Sequence, residues 1–146
     1  MASVVMDPAG VSSDAIMENI CEQINCIAAV AIPAGSFVKF NGTNDAKTGL
    51  PQVVLTDATA ASAPTCGIVL EKVGAGQPVA VFGPGVRLHY AAPGTFTPPQ
   101  TLYLDVTANA GGLSTVATTG DALGVARAIS DQDIQVVRNF TTGVNS

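Results

Sequence analysis

The chain contains two similar passages of short apolar strands and turns. They cover residues 32–73 and 97–129. Each begins with a proline-containing turn and a short apolar strand, runs through a polar loop that ends in Gly-Leu, and closes on a glycine followed by small aliphatic residues. The spacing between equivalent residues shortens along the chain, which is the pattern that loop deletions produce. A true duplication and a chance similarity between strands of a β-meander both explain this pattern, and both predict a β-protein.

Short apolar or alternating segments follow one another from residue 26 onward, and turn signals such as Asn41-Gly42 separate them. Regularly spaced short strands without helical windows between them are typical of a sandwich or small barrel. We therefore predict an all-β fold, a compact β-sandwich or small β-barrel. The predicted strands are 26–32, 36–41, 52–56, 66–73, 78–83, 86–91, 101–106, 113–117, 123–129 and 133–139.

Alternation along these strands also predicts a core and one hairpin. Val79 and Val81 are expected to pair with Val86 and Leu88 across a turn at 83–85. About seven of ten core candidates should be buried, because one residue of an adjacent pair on a strand can face outward. The candidates are Phe37, Val38, Phe40, Ile68, Val79, Val81, Leu102, Leu104, Val125 and Val136.

Residues 1–25 differ from the rest and are predicted to form an N-terminal arm, with a β-domain at 26–146. The isoleucines at 16, 20, 24 and 27 recur at helical spacing, and Ser13 or Asp14 could cap such a helix. From Ile24 onward the same stretch also alternates. Both patterns are satisfied by one short helix that passes into a strand near residue 25.

The surface is poor in charge. Charged residues make up 12% of the chain, about half of the ~25% that is usual for soluble domains, and such a surface suits a protein packed into an assembly. The net charge is −5, and the first 38 residues hold four carboxylates and no Lys or Arg. Nucleic acid and anionic membranes need clustered basic residues, so neither is expected as a partner.

No combination of residues predicts an enzyme or a bound group. His89 has no acidic residue close to it in sequence and is expected to be an ordinary strand or interface residue. Cys21 and Cys26 lack two further ligands at zinc spacing, and Asp131 with Asp133 and Asp121 lacks the oxygen-rich loop of a calcium site. We therefore expect no catalytic residues, no cofactor and no metal.

Three segments resemble tailed-bacteriophage head decoration proteins, also called cement proteins. They are VAIPAGSFVKF, CGIVLEKVGAGQPVAVFGPGVRL and ALGVARAISDQDIQVVRNF. The shared pattern is a Pro-Ala-Gly turn that leads into a strand, a glycine-started strand with a Gly-rich turn and a Val-Ala-Val strand, and a second glycine-started strand that ends in an alternating one. The similarity covers about residues 30–140.

The resemblance implies a non-enzymatic structural virion protein, a homotrimer made in the host cytoplasm and placed on the outer surface of the capsid. There it would bind the major capsid protein, and neighbouring decoration proteins, and so stabilise the DNA-filled head. The alternative from a different class is a carbohydrate- or host-surface-binding β-module of a fibre or adhesin. Sugar sites usually carry Trp and Tyr platforms, and this chain has no Trp and two Tyr.

The acidic arm is expected to dock on the capsid. Its carboxylates would steer it towards a basic surface and its apolar residues would supply affinity. Deleting residues 1–24 is then expected to leave a folded β-domain that no longer binds capsids. The expected contact residues are Val4, Val5, Met6, Ile16, Ile20 and Ile24.

Overall fold

The computed structural model describes residues 3–5, 23–59, 65 and 67–137, together with the backbone of residues 16–18. Strands and one 3₁₀ turn, Thr107–Asn109, form the regular structure of these residues, which include no α-helix. The predicted all-β fold is therefore confirmed. The strands are β1 (Ile16–Glu18), β2 (Gln23–Ala28), β3 (Phe37–Asn44), β4 (Pro51–Leu55), β5 (Gly67–Val69), β6 (Pro78–Phe82), β7 (Arg87–His89), β8 (Thr101–Leu104), β9 (Leu113–Ser114), β10 (Ala126–Ala128) and β11 (Asp133–Val136).

The first five strands after β1 form a closed barrel in the order β2-β4-β3-β5-β6. β6 pairs antiparallel with β2, from Gln23 opposite Phe82 to Ile27 opposite Pro78. The barrel closes where β2 runs parallel to β4, with Ala28 opposite Val53. Small and β-branched side chains fill the interior, as the narrow lumen of a five-stranded barrel requires. They are Cys26, Ala28, Ile32, Val38, Val53, Val69, Val73 and Val81.

The last five strands repeat this plan. Their order is β7-β11-β10-β8-β9, which matches β2-β6-β5-β3-β4 strand for strand, and every shared neighbour pair is antiparallel. The correspondence extends over residues 23–82 and 87–136, further than the predicted repeats. Agreement in both strand order and direction supports a duplication rather than a chance similarity. The second unit differs in one respect: among the described residues, β7 and β9 do not pair with each other.

Two features of the N-terminal prediction need correction. Residues 16–18, expected to lie in a helix, form β1, which pairs antiparallel with β7. The apolar spacing suggested a helix, but residues 16–18 form a strand because the edge of β7 supplies backbone hydrogen-bond partners. The β-domain was predicted to begin at residue 26, but β2 begins at Gln23, three residues earlier.

The predicted hairpin across residues 83–85 is also wrong. β6 pairs with β2 on one edge and β5 on the other, so it has no edge left for β7. The turn instead carries the chain from the barrel to the second sheet, where the Gly85 amide donates to the Val136 carbonyl at 2.8 Å.

Strand alternation divides the apolar side chains between the two units. On β3, Val38 faces the barrel interior and Phe37 faces outward into a second, larger cluster. That cluster holds Leu88, Leu102 and Leu104 of the second sheet, so the outer wall of the barrel packs against the second unit. Of the ten core candidates, eight are buried. The others, Phe40 and Val79, are partly buried and pack against the barrel interior.

Equivalent glycines lie at the fourth strand of each unit: Gly67 begins β5, and Gly124 lies two residues before β10. Gly67 has φ +150°, and a Cβ there would lie 2.5 Å from Val81 Cγ1 and 2.6 Å from the Phe82 carbonyl oxygen. Gly124 has φ +91°, and a Cβ there would collide with Thr101 Cγ2. A neighbouring strand passes too close at both positions for any side chain, which explains the glycine in both sequence repeats.

Two leucines of the second unit provide a matched test of this core. Leu104 is fully buried and Leu123 is 82% exposed. We expect Leu104→Ala to lower the free energy of unfolding by about 2–5 kcal/mol through the cavity it leaves, and Leu123→Ala to change it by less than about 0.5 kcal/mol. Urea denaturation of both variants measures this. Equal effects would contradict the assignment of the core.

Candidate functional site

The structure separates the residues that were expected to contact a capsid. Val4 is buried in the larger apolar cluster, whereas Val5 is 69% exposed and Ile24, on β2, is 39% exposed. Ile16 lies on β1, in register with Leu88. Met6 and Ile20 lie outside the described residues. Of the expected contact residues with a described side chain, Val5 and Ile24 are therefore the ones that a partner could reach.

The N-terminal residues 3–5 lie along β9. Ser3 forms an antiparallel bridge with Ser114, and the Val4 amide donates to the Leu113 carbonyl at 2.8 Å. The alternation of a strand then places Val4 inward and Val5 outward. These residues thus belong to the packed structure, and deleting residues 1–24 would remove part of the core as well as β1 and the start of β2. The expectation that such a truncation leaves an intact β-domain needs correction for this reason.

A buried carboxylate fixes the position of Ser3. The Ser3 hydroxyl donates to Asp105 Oδ2 at 2.6 Å, and the Asn109 side-chain amide donates to the same oxygen at 3.1 Å. The Val106 amide donates to Asp105 Oδ1 at 2.8 Å. Asp105 is 3% exposed, so these three donors replace the water that the carboxylate loses on burial.

Two buried groups have raised pKa values. Burial raises the pKa of the Cys26 thiol to about 11, so this thiol stays protonated and unreactive. Burial, and then the charge of Asp105, raise the pKa of Tyr90. Two exposed carboxyls have lowered pKa values: hydrogen bonds from Thr107 and Thr59 lower the pKa of Asp57, and those from Thr48 lower that of Asp45.

The connection between β9 and β10 presents two large apolar side chains to solvent. Val116 is 56% exposed and Leu123 is 82% exposed. They lie two residues to either side of a bridge between Thr118 and Asp121, so its antiparallel register places them on opposite arms of one loop. We call residues 115–125 the apolar loop. It begins beside residues 3–5, because Ser114 bridges Ser3 and its hydroxyl donates to the Val116 carbonyl at 2.8 Å.

The shape of the apolar loop depends on a second buried carboxylate. Asp121 is 1% exposed. Its Oδ2 accepts the Leu104 amide of β8 at 2.8 Å, and its Oδ1 accepts the Gly124 amide at 2.9 Å and the Leu123 amide at 3.3 Å. These hydrogen bonds fix the loop backbone to the sheet at this point. Leu123 is therefore exposed on an ordered backbone.

Sequence analysis missed this loop because it assigned Val116 and Leu123 to strands 113–117 and 123–129. The observed strands there are shorter, β9 and β10. The Gly120-Asp121 pair between the two residues was an available turn signal.

His89 has a partner that the sequence did not indicate. Its Nδ1 lies 3.1 Å from Asp133 Oδ1, on the neighbouring strand β11. The Ser130 hydroxyl donates to the other oxygen of Asp133 at 2.9 Å. The carboxylate thus lies between the hydroxyl and the imidazole, whereas an activated nucleophile needs its hydroxyl bonded to the base.

Asp121, Asp131 and Asp133, considered above as a calcium site, do not come together in the structure. Asp131 accepts the Gly94 amide at 2.9 Å, while Asp133 and Asp121 have the separate partners given above. Within the described residues no group of three or more His, Cys, Asp or Glu side chains could hold a metal ion. None of the helical structure in this part of the chain has the length and hydropathy of a membrane span.

Comparison with known proteins gives no family for this chain. No family model matches the sequence, and no curated protein matches it. The candidate site therefore rests on the geometry of residues 3–5 and of the apolar loop.

Adjacent valines test the placement of residues 3–5. Val4→Asp would place a carboxylate in the apolar cluster, and we expect it to lower the free energy of unfolding by at least about 3 kcal/mol. Val5→Asp introduces the same charge at an exposed position and should change stability by less than about 0.5 kcal/mol. Thermal and urea unfolding measure both. Similar stability of the two variants would show that residues 3–5 are not packed on β9.

Alkaline pH should destabilise the protein through Cys26 and Tyr90. Both groups have a higher pKa in the folded than in the unfolded state, so the folded state binds more protons once the unfolded groups ionise. For Cys26 the stabilising effect is complete below the usual thiol pKa of 9.0 and is lost as the pH rises towards about 11. For Tyr90 it is complete below the usual pKa of 10.0 and is lost at still higher pH. Cys26→Ala and Tyr90→Phe should each flatten the fall in unfolding free energy over this range, measured by urea denaturation. An unchanged slope in both variants would contradict the assignment.

Proposed function

We propose that this chain is a structural virion protein that binds the outer surface of a tailed-phage capsid and cements neighbouring major capsid subunits. The observation that carries the proposal is the apolar loop, whose backbone is held by Asp121 at Leu123 and by Ser114 at Val116 while both apolar side chains face solvent. Exposing large apolar side chains on an ordered backbone costs free energy in an isolated protein, and contact with a partner recovers it.

The composition of the chain supports a protein partner. With 12% charged residues, few ions need to be desolvated when a surface is covered, and the cores of protein interfaces are depleted in charge for this reason. The four carboxylates near the N-terminus would steer the protein towards a basic surface. Leu123, Val116 and the exposed Val5 would supply the buried apolar area.

The resemblance to decoration proteins supports the same class. The three segments that carry it form β3 with its preceding turn, the β5-β6 pair and the β10-β11 pair. β5-β6 and β10-β11 occupy equivalent places in the two units. The similar residues therefore lie in the framework that repeats, which is where a shared fold would retain its sequence pattern.

The proposal includes self-association into a homotrimer on the capsid, with contacts to neighbouring decoration proteins. Contact between copies would cover apolar side chains that the barrel and sheet leave exposed, including Ile24 and Val137. The assembly would lie on the outer surface of the virion, after synthesis in the host cytoplasm.

A carbohydrate-binding module is the weaker alternative. Tyr90 is 1% exposed, so Tyr103 is the one tyrosine of the chain that a sugar ring could reach. A single partly exposed ring is a poor platform for sugar stacking.

Capsid binding tests the proposal. Purified protein is mixed with expanded, empty capsids of the phage whose genome encodes it, and co-sedimentation gives the affinity and the stoichiometry to the shell subunit. Leu123→Asp combined with Val116→Asp should weaken binding by about tenfold or more, because both place a charge at a desolvated contact. The matched control is Thr119→Asp, an exposed position at the tip of the same loop.

Each outcome bears on a different part of the proposal. Saturable binding that Thr119→Asp retains and the double variant loses supports docking through the apolar loop. Equal binding of all three proteins would place the contact elsewhere, and no binding of the wild-type protein would contradict the function. Light scattering coupled to size-exclusion chromatography tests the trimer, and a glycan array tests the alternative.

A further inference from the structure

We propose that the second unit contains an exchangeable strand-binding site, which holds residues 3–5 of its own chain in this structure and accepts residues 3–5 of a second copy in an assembly. The site is the gap between the outer edges of β7 and β9, and we call it the seam. The proposal deepens the self-association proposed above but does not depend on a capsid.

The seam exists because the two units close differently. In the first unit the outer strands β2 and β4 pair with each other and complete the barrel. Their equivalents in the second unit, β7 and β9, bond instead to the N-terminal part of the chain. β1 pairs with β7, and Ser3 bridges Ser114 on β9. An N-terminal peptide therefore covers edges that the duplicated plan leaves open, and uncovered edges are natural templates for another strand.

Residues 3–5 are bound in the manner of a recognised peptide. A main-chain hydrogen bond from the Val4 amide to the Leu113 carbonyl fixes the register. Two side chains make specific contacts. The Ser3 hydroxyl donates to Asp105, and the Val4 side chain packs into the larger apolar cluster. Val5 then faces solvent. Strand addition likewise combines backbone pairing, which gives affinity, with side-chain contacts, which give specificity.

Two of the three bound residues remain accessible: Ser3 and Val5 are exposed, whereas Val4 is buried. Ser3, Val4 and Val5 lie along a groove of about 470 Å³, whose other lining includes Ser36 and residues 108–112. A strand that lies in an open groove can leave and be replaced without the unfolding of the sheet beneath it.

The chain between the two bonded segments is long enough for exchange. Ten residues separate Val5 from Ile16, and ten extended residues reach about 33 Å. A neighbouring strand in a sheet lies only about 5 Å away. The excess length lets residues 3–5 reach a neighbouring copy while β1 stays on its own β7.

A second copy is the occupant that fits best, because it carries the same peptide that the seam already holds. Exchange between copies replaces each contact by an identical one, so its main cost is the loss of translational freedom on association. Such exchange would link copies into a closed assembly, as a trimer requires.

Disulfide trapping in the full chain distinguishes the two arrangements. Ser3 and Ser114 are bridged partners, so their Cβ atoms lie on one face within reach of a disulfide. Chains carrying Ser3→Cys are mixed with chains carrying Ser114→Cys, unfolded, refolded together and oxidised. Exchange predicts a covalent dimer on a non-reducing gel, with the bond between positions 3 and 114 verified by peptide mapping.

Three controls define the result. The wild-type chain reports background from the three native cysteines, and Ser3→Cys mixed with Thr119→Cys reports random collisions. The double variant with both substitutions in one chain shows whether the geometry permits the bond. If the double variant forms its disulfide within one chain while the mixture gives only monomers, the exchange proposal is overturned.

A second measurement leaves Ser3 and Ser114 unchanged. Chains without ¹⁵N carry a spin label at Val5→Cys, an exposed site. They are refolded together with ¹⁵N-labelled wild-type chains. Exchange predicts broadening of the Leu113 and Ser114 amide signals in the wild-type copies, and their unchanged width overturns it. The mass of the assembly is measured on the same samples. If the mass is that of a trimer but the signals are not broadened, the exchange proposal alone is contradicted. If the mass is that of a monomer, both exchange and the proposed trimer are contradicted.

Discussion

The parallel pairing of β2 with β4 is the contact on which the rest of the architecture depends. Without it the first unit would be an open sheet whose end strands expose backbone donors and acceptors. Ala28 opposite Val53 brings the two ends together, and Ala28 is small enough to leave the lumen to the valines around it. Because β2 and β5 occupy both edges of β6, the chain leaves the barrel at residues 83–85 and builds a second unit.

The second unit uses the outer wall of the first as part of its core. Phe37 and Ile68 extend from the barrel into the larger apolar cluster, while their neighbours Val38 and Val69 stay inside the barrel. Each of these strands therefore contributes to two cores through the period of two. This sharing explains how a 146-residue chain with few aromatic residues buries enough apolar surface for two sheets.

Local patterns predicted the elements well and their partners poorly. Every predicted strand from residue 26 onward overlaps one of β2 to β11, because short apolar runs and glycine turns are local signals. The choice of neighbour is not local. Gly83-Pro84-Gly85 suggested a hairpin, but β6 was already paired on both edges, and Ile16 was placed in a helix because the sequence did not show the edge of β7. The partners of Ser3 and His89 were missed for a related reason: Asp105, which follows β8, and Asp133, on β11, are far from them in sequence.

The anchoring of the apolar loop by Asp121 has a consequence for how this protein can diversify. The carboxylate accepts main-chain amides in that loop and on β8. These bonds hold the backbone without using the side chains at Val116, Thr119 or Leu123. Substitutions at these exposed positions can alter the chemistry of the surface while the scaffold keeps its form. The fold thus separates the residues under selection for stability from those free to follow a changing partner, much as variable loops on a constant framework do.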